Sequence, residues 1–267
     1  MLYLIPTPIG NLGDITLRAI ETLKTVDLIL CEDTRHSSPL MRHYEITTPL
    51  HSYEQFSEKT KLAWVIEKLK SGAKIALISD AGTPAVNDPG ALLVKTCIDE
   101  GIFVTSLPGA ASPIVAYSML GTMKPFQFIG FFPKKEGEQK TLFSQIENYP
   151  GVTLFFESPH RIVETIGAIP FDCRITLFRE LTKKFEERIT GSKETVLAEL
   201  KIRERLGEIV VALEPLEKPP EEKQAIAFAQ ELIKKYELSV NTASKIAADL
   251  YKVKKQLVYD QLVQDKN

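Results

Sequence analysis

The sequence predicts an α/β protein with two α/β domains and a small helical region at the C-terminus. Short apolar runs alternate with amphipathic segments over the first 214 of the 267 residues. A proline-rich, charged break at 214–222 then precedes three further helical patterns. We therefore expect one α/β domain at 1–113, a second at 114–214, and a linker with a helical appendage at 215–267.

The first domain is predicted to be a doubly wound parallel sheet. The unbroken apolar run at 75–78 is typical of a parallel strand buried on both faces. Helices on both sides of such a sheet would supply the crossovers. The predicted strands are 2–6, 28–31, 75–78 and 103–107, and the predicted helices are 16–24, 59–70 and 91–100.

The second domain has shorter crossovers, which predict a mixed sheet. A helix at 112–120 leads into it, followed by strands at 126–131, 152–156, 175–178 and 208–213 and helices at 141–147 and 161–168. The C-terminal helices are predicted at about 224–235, 241–250 and 254–263, with Ser239 or Asn241 as the cap of the middle helix. They could form a helix-turn-helix bundle or a packing appendage that does not contact nucleic acid.

The polar turn after the strand at 75–78 has the build of a ligand-binding loop. Asp80 falls at the carboxyl end of the strand, where ligands of open α/β sheets bind. Gly82 and Gly90 permit unusual backbone conformations, while Pro84 and Pro89 stiffen the loop. The alternative is a tight connection without a ligand, but such connections usually span two to six residues and this one spans about ten, so we favour a ligand loop.

Composition limits the class of protein. The net charge of −2 argues against nonspecific coating of nucleic acid. The three cysteines are odd in number and form no C-x-x-C, which predicts a reduced cytoplasmic protein without a zinc site. The apolar N-terminus is interrupted at Pro6, too soon for a signal peptide, and no apolar run approaches membrane-spanning length. Motifs typical of nucleotide hydrolysis, nicotinamide binding and zinc proteases are absent.

Five blocks in order carry a family resemblance. They are Thr7–Asp14, which contains Gly10-x-x-Gly13, Glu32–His36, the loop at 74–90, Pro108–Ser112 and Phe156–Arg161. The chain resembles the tetrapyrrole methylase superfamily of S-adenosylmethionine (SAM) enzymes over about 1–214. Within it, the bacterial 16S ribosomal RNA (cytidine 2′-O)-methyltransferases are the most similar. The first loop lacks the Gly-Pro-Gly-Asp-Pro pattern common in tetrapyrrole enzymes, which favours RNA.

The resemblance implies that SAM lies in a cleft between the two α/β domains. Two positions depart from the family pattern: Ala85, where glycine is common, and the block Pro108–Ser112, where Pro-Gly-Pro-Ser-Ala is usual. We expect the loops to keep their shape despite these changes. Transferred position by position, the expected cofactor-binding residues are Pro8, Asp80, Gly82, Thr83, Ala111, Ser112, Phe156, Val210 and Val211.

The implied reaction moves a methyl group from SAM to the ribose 2′-oxygen of one cytidine at the decoding centre, in naked 16S ribosomal RNA or in the assembled small subunit. A ribose hydroxyl is a poor acid, so a base or a cation near the developing alkoxide is expected. The alternative for each candidate is a salt bridge or a helix cap that stabilises the domain interface. The candidates are Asp33, Arg35, Glu157, His160 and Arg161, with His36, Glu180 and Lys183 as further possibilities.

An acidic protein that binds RNA must concentrate its basic residues locally. Each basic group here could equally be a solvated surface. The expected RNA-binding residues are Lys134, Lys135, Lys183, Lys184, Lys252, Lys254 and Lys255. Two rival functions remain: a SAM-dependent tetrapyrrole methyltransferase and a non-catalytic ribosome-binding factor. We also expect a homodimer, since enzymes of this build with exposed sheet edges often pair.

Overall fold

The computed structural model describes residues 1–54, 58–203, 205–216 and 221–264. Its contacts divide the chain into two compact units, Met1–Pro215 and a second unit that begins at Leu216. The predicted α/β class with helices at the C-terminus is confirmed. Part of the predicted linker, residues 217–220, lies outside the described residues, and the boundary predicted inside the first unit, near 113, stays a prediction.

The first sheet contains five parallel strands in the order β3-β2-β4-β1-β5. Because β4 lies directly beside β1, the loops that follow these two strands emerge next to each other. Apolar clusters cover both faces, as expected of a parallel sheet. The strands are β1 (Leu2–Leu4), β2 (Leu28–Cys31), β3 (Leu50–Ser52), β4 (Ile75–Leu77) and β5 (Val104–Ser106), and the helices are α1 (Leu17–Thr25), α2 (Thr34–His43), α3 (Glu58–Lys70) and α4 (Ala91–Asp99).

One helix and one strand of this part of the chain were not predicted, α2 and β3. The sequence of α2 is polar and contains Pro39, so it lacks the apolar period of a helix. The helix forms because the carboxylate of Asp33 caps its first turn and Leu40 and Met41 are buried on the sheet. Three residues of β3 are too few to show an alternating pattern.

The second sheet is mixed, as predicted, with strand order β6-β7-β10-β8-β9. Strands β6 and β7 are parallel, and the remaining pairs are antiparallel. Strand β9 and helix α8 were not predicted. The strands are β6 (Phe126–Phe131), β7 (Val152–Glu157), β8 (Cys173–Arg179), β9 (Glu187–Gly191) and β10 (Ile209–Pro215), and the helices are α5 (Ser112–Ser118), α6 (Glu136–Asn148), α7 (Ile162–Gly167) and α8 (Lys193–Ile202).

The two faces of the second sheet have different neighbours. Val211 and Phe155 pack in a core with residues of α6, α7 and α8. Val210 points to the opposite face, where it packs with residues of α5 and with Ile9 from the loop after β1. A loop of the first sheet therefore contacts the second sheet directly.

The second unit contains three helices, α9 (Glu221–Tyr236), α10 (Val240–Tyr251) and α11 (Lys255–Gln264). Alanines at the centre of the unit are fully buried, which lets the helix axes approach closely. Ser239 caps α10 by accepting a hydrogen bond from the N–H of Thr242, so of the two predicted caps the structure selects Ser239. Within the described residues, none of the helices has the length and apolar character needed to cross a bilayer.

Candidate functional site

A pocket of about 950 Å³ opens where the loops of the first sheet meet the second sheet. Its walls come from the loop after β4, the start of α5, the ends of β6 and β7, and the start of β10. Most of the lining is apolar, with a few polar groups from the loops, as is typical of small-molecule sites. Seven of the nine predicted cofactor residues line it: Asp80, Gly82, Thr83, Ala111, Ser112, Phe156 and Val210.

Paired hydrogen bonds hold the loops after β1 and β4 together. The N–H of Thr7 donates to the carbonyl of Gly82 at 2.9 Å, and the N–H of Gly82 donates back at 3.0 Å. The Thr7 and Ser79 hydroxyls bond to backbone carbonyls of the second loop, each at 3.0 Å. Gly82 has a φ of +79°, a conformation that glycine adopts without strain.

The same loop is joined to the segment before α5. Thr83 donates its hydroxyl hydrogen to the carbonyl of Ala110 at 3.0 Å, so this side chain orders the wall of the pocket. Ala85, which stands where family members commonly have glycine, has a φ of +63°. Left-handed backbone is strained for a residue with a Cβ, so the loop carries a strain of about 1–2 kcal/mol at Ala85.

Carboxylates give this end of the pocket a negative charge. Asp80 and Asp88 line it, and Glu32 lies near both. Burial, reinforced by the charges of Glu32 and Asp80, raises the pKa of Asp88 to about 6. Burial and the neighbouring acids also raise the pKa of Glu32. Such a site favours a ligand that carries positive charge.

Pro8 and Val211 are the two predicted cofactor residues that do not line the pocket. Val211 points to the opposite face of β10, because successive side chains of a strand alternate. It could therefore act only through its backbone, which pairs with Phe155 and Leu177. Pro8 lies next to Ile9, whose side chain does reach the pocket.

Glu157 and Arg161, two predicted catalytic residues, line the pocket, but they form an ion pair with each other and hydrogen bonds to nearby backbone and hydroxyl groups. Glu157 is 4% exposed, and its carboxylate accepts hydrogen bonds from the N–H of Ser158 at 2.7 Å and from the Thr165 hydroxyl. The Arg161 guanidinium lies 3.4 Å from it and donates to the carbonyl of Pro133 at 2.8 Å. The pair ties β7 to the segment after β6, which fits the structural alternative.

The other three predicted catalytic residues lie outside the pocket lining. Asp33 binds the Arg35 guanidinium through both carboxylate oxygens and caps α2, and these bonds from Arg35 lower its pKa to about 2. Its N–H lies 3.4 Å from the Asp80 carboxylate. Arg35 is 91% exposed along its side chain, and His160 is also exposed. An Asp33 carboxylate with so low a pKa is a poor proton acceptor near neutral pH.

The predicted RNA-binding lysines fall into two classes. Lys183 pairs with Glu180 and Glu208, and Lys135 pairs with Glu138. The others are exposed and take part in no described salt bridge; Lys184 lies over the ring of Phe185, and Lys134 lines the pocket. These exposed residues are Lys134, Lys184, Lys252, Lys254 and Lys255.

Several lining residues escaped the sequence analysis. Asn87 and Asp88 stand in the loop that was singled out, but no family position pointed to them. Phe131 ends a predicted strand and Leu181 follows another. Nothing in the pattern of either strand indicated that these side chains line a pocket. Others are Ile9, Val86, Ile114, Phe128 and Glu208. Among the described residues, no three His, Cys, Asp or Glu side chains are arranged to hold a metal ion.

The chain is similar to known proteins over most of its length. Residues 1–201 match the family model described as Tetrapyrrole (Corrin/Porphyrin) Methylases. A Bacillus subtilis protein named Ribosomal RNA small subunit methyltransferase I is 41% identical over 97% of this chain and 93% of its own. Proteins of the same name from Escherichia coli O157:H7 and a Streptococcus pyogenes strain are each 40% identical with the same coverage.

Solved structures share the fold at low sequence identity. Diphthine synthase is 14% identical with a TM-score of 0.63 over 80% of this chain and 89% of its own. Cobalt precorrin-4 methyltransferase is 14% identical with a TM-score of 0.60 over 79% and 93%. Uroporphyrin-III C-methyltransferase from Thermus thermophilus, complexed with S-adenyl homocysteine, is 16% identical with a TM-score of 0.56 over 79% and 96%.

Proposed function

The chain belongs to the tetrapyrrole methylase family, and on this premise we propose that it transfers the methyl group of SAM to the 2′-oxygen of one decoding-centre cytidine in 16S ribosomal RNA. The observation that carries the proposal is the near full-length similarity to small-subunit ribosomal RNA methyltransferases, at about 40% identity. The chain is thus a SAM-dependent ribosomal RNA methyltransferase, and the nucleotide and the ribose oxygen are the proposed part.

The residues of the pocket fit SAM. Its volume of about 950 Å³ is at the upper end of the range for small-molecule sites, so the pocket has room for a cofactor and part of a substrate. Ile9, Leu181 and Val210 offer apolar walls to an adenine ring. Asp80 and Asp88 face the same space, and their carboxylates suit a sulfonium and an ammonium group.

When bound, SAM supplies a methyl group that is already activated, so the protein mainly needs to align it with the acceptor. The hydrogen bonds from Thr7 and Thr83 fix the loops that would hold the cofactor. The pKa of Asp88, about 6, leaves this pocket carboxylate mostly ionised near neutral pH, which suits a cationic group of the cofactor. The Glu157–Arg161 pair holds the opposite wall in place.

The proposed cofactor loops follow β1 and β4, which belong to the proposed first domain, and the other pocket walls come mainly from the proposed second domain. We therefore propose a domain boundary near 113 and a cofactor cleft between the two domains. A homodimer is also part of the proposal, since both sheets have edge strands that could pair or be covered. Naked RNA and the assembled subunit stay alternative substrates.

The experiment that tests the proposal is a map of ribose 2′-O-methylation on small-subunit RNA from cells with and without the gene. We expect the loss of one ribose methyl, at a decoding-centre cytidine. An unchanged map would overturn the substrate assignment and leave the family membership intact. A tetrapyrrole enzyme or a non-catalytic ribosome-binding factor would also leave the map unchanged.

A further inference from the structure

Phe131 exposes a large apolar surface at the pocket. The residue is 67% exposed although it is the last residue of strand β6. The ring centroid lies 5.2 Å from that of Phe156, which in turn lies 4.9 Å from that of Phe128. Phe156 therefore packs against one side of the Phe131 ring, and most of the surface of Phe131 stays accessible. Other phenylalanines of this chain are also exposed, but Phe131 lines the pocket, so its open aromatic face is available to a stacked ligand.

A β-bulge directs Phe131 into the pocket. Phe128 pairs with Leu154 and Phe131 pairs with Phe156, so β6 contains one residue more than β7 over this stretch. Without the extra residue, side chains three positions apart would point to opposite faces of the sheet. Gly130, with a φ of +75°, makes the bulge possible. Bulges of this kind often reorient a side chain beside a functional site.

Asn87 reaches the same place from the first sheet. A Cβ on Gly130 would lie 2.4 Å from Asn87 Oδ1, so the two residues are in direct contact. Asn87 has a φ of +64°, a conformation that asparagine tolerates better than most residues. Within the described ranges its side-chain amide makes no hydrogen bond, and it lines the pocket. Two donors and one acceptor are therefore available near the Phe131 ring.

We infer that Phe131 and Asn87 form a subsite for the base of the nucleotide that is methylated, an inference that rests on the proposed function. RNA enzymes that act on a single nucleotide expose its base, and free bases stack on aromatic side chains. The base stacks on Phe131, and the amide of Asn87 bonds its edge. A cytosine edge offers an amino donor beside a ring nitrogen acceptor, which an amide complements. The ribose is thereby held beside the cofactor loops.

The test compares Phe131→Ala with Phe103→Ala, a matched control. Phe103 is 65% exposed and does not line the pocket. With small-subunit particles from cells that lack the gene, we expect Phe131→Ala to raise KM for the particles roughly tenfold, the scale of one lost stacking contact. SAM affinity by calorimetry should stay within about twofold. Phe131→Trp should restore KM, whereas Phe131→Leu, which keeps the bulk without the aromatic face, should not.

Asn87→Gly tests the amide separately, because it keeps the left-handed backbone and removes the polar group. We expect a raised KM for particles and unchanged SAM affinity. The inference is overturned if Phe131→Ala keeps the wild-type KM, or if it weakens SAM binding as much as particle binding, which would assign the ring to the cofactor. A wild-type chain that leaves the particles unmethylated would instead refute the proposed function, so the two failures are distinguishable.

Discussion

The side chain of Lys183 lies directly on the backbone of Gly10: a Cβ on Gly10 would lie 2.3 Å from Lys183 Cγ. Its ammonium group bonds Glu180 at 2.9 Å and Glu208 at 3.2 Å. Lys183 therefore connects the loop after β1 to the turn between β8 and β9. Two carboxylates already neutralise its charge, which argues against the phosphate contact predicted for it.

Replacement of Lys183 by alanine should loosen the loop after β1. The variant loses both the packing of the carbon chain on Gly10 and the bonds to the two glutamates, so we expect the free energy of unfolding to fall by about 1 kcal/mol and SAM affinity to fall several-fold. Chemical denaturation and calorimetry measure the two effects. Lys183→Met should keep most of the affinity. Lys184→Ala is the control, since Lys184 is the next residue in the chain and, among the described contacts, it contacts only the Phe185 ring. Equal losses in all three variants would contradict this role.

Gly82→Val should abolish SAM binding while the protein stays folded. Gly82 has a φ of +79°, so a β-branched side chain would either strain the loop by about 1–2 kcal/mol or more, or displace it. Gly101→Val is a matched control, because Gly101 has a φ of +68°, open space within 4 Å of the point where a Cβ would lie, and no place in the pocket lining. Calorimetric titration that finds wild-type affinity in Gly82→Val would mean that SAM binds elsewhere.

The raised pKa of Asp88 predicts that SAM affinity depends on pH. Asp88 is protonated below about pH 6 and ionised above it, and a cationic ligand favours the ionised form. SAM should therefore bind more tightly as pH rises from about 5 to 7, with a limit of about tenfold per pH unit for one proton. Titrations across this range in Asp88→Asn should show a flatter profile. Equal pH profiles of the variant and the wild type would contradict the assignment.

Much of this arrangement is readable from the sequence because it depends on local patterns. The strand at 75–78 and the glycines after it predicted a ligand-binding loop, and this loop and seven of the predicted cofactor residues line the pocket. The rest depends on contacts between distant segments. Neither the bulge at Gly130 nor the contact between Lys183 and Gly10 leaves a periodic signal. Similarly, the motif containing Glu157 and Arg161 contributed to the family resemblance, but the motif alone could not show that its two charges pair with each other.

The exposed lysines of the second unit should contribute to RNA binding. Conversion of Lys252, Lys254 and Lys255 to glutamate is expected to weaken binding to small-subunit RNA and to reduce the slope of log affinity against log salt by roughly 0.7–0.9 for each lost phosphate contact. SAM affinity should not change. The same conversion at Lys223, Lys234 and Lys245, also exposed on this unit, is the control for net charge.

Lys184, in the turn between β8 and β9, is tested in the same assay by Lys184→Glu. Lys24→Glu is the control for a single charge change, and both lysines are exposed. We expect the slope of log affinity against log salt to be smaller in Lys184→Glu and to stay at the wild-type value in Lys24→Glu. Salt slopes identical to wild type in the Lys184 variant and in the triple variant would mean that other residues bind the RNA.

We propose that this chain uses SAM to methylate one ribose of the small-subunit RNA. Its most direct test incubates the purified chain with SAM labelled in the methyl group and small-subunit particles from cells that lack the gene, followed by digestion of the RNA to nucleosides. We expect about one methyl per particle, recovered as 2′-O-methylcytidine, and no label in uroporphyrinogen offered under the same conditions. Unlabelled RNA, label on a base, or a labelled tetrapyrrole would contradict it.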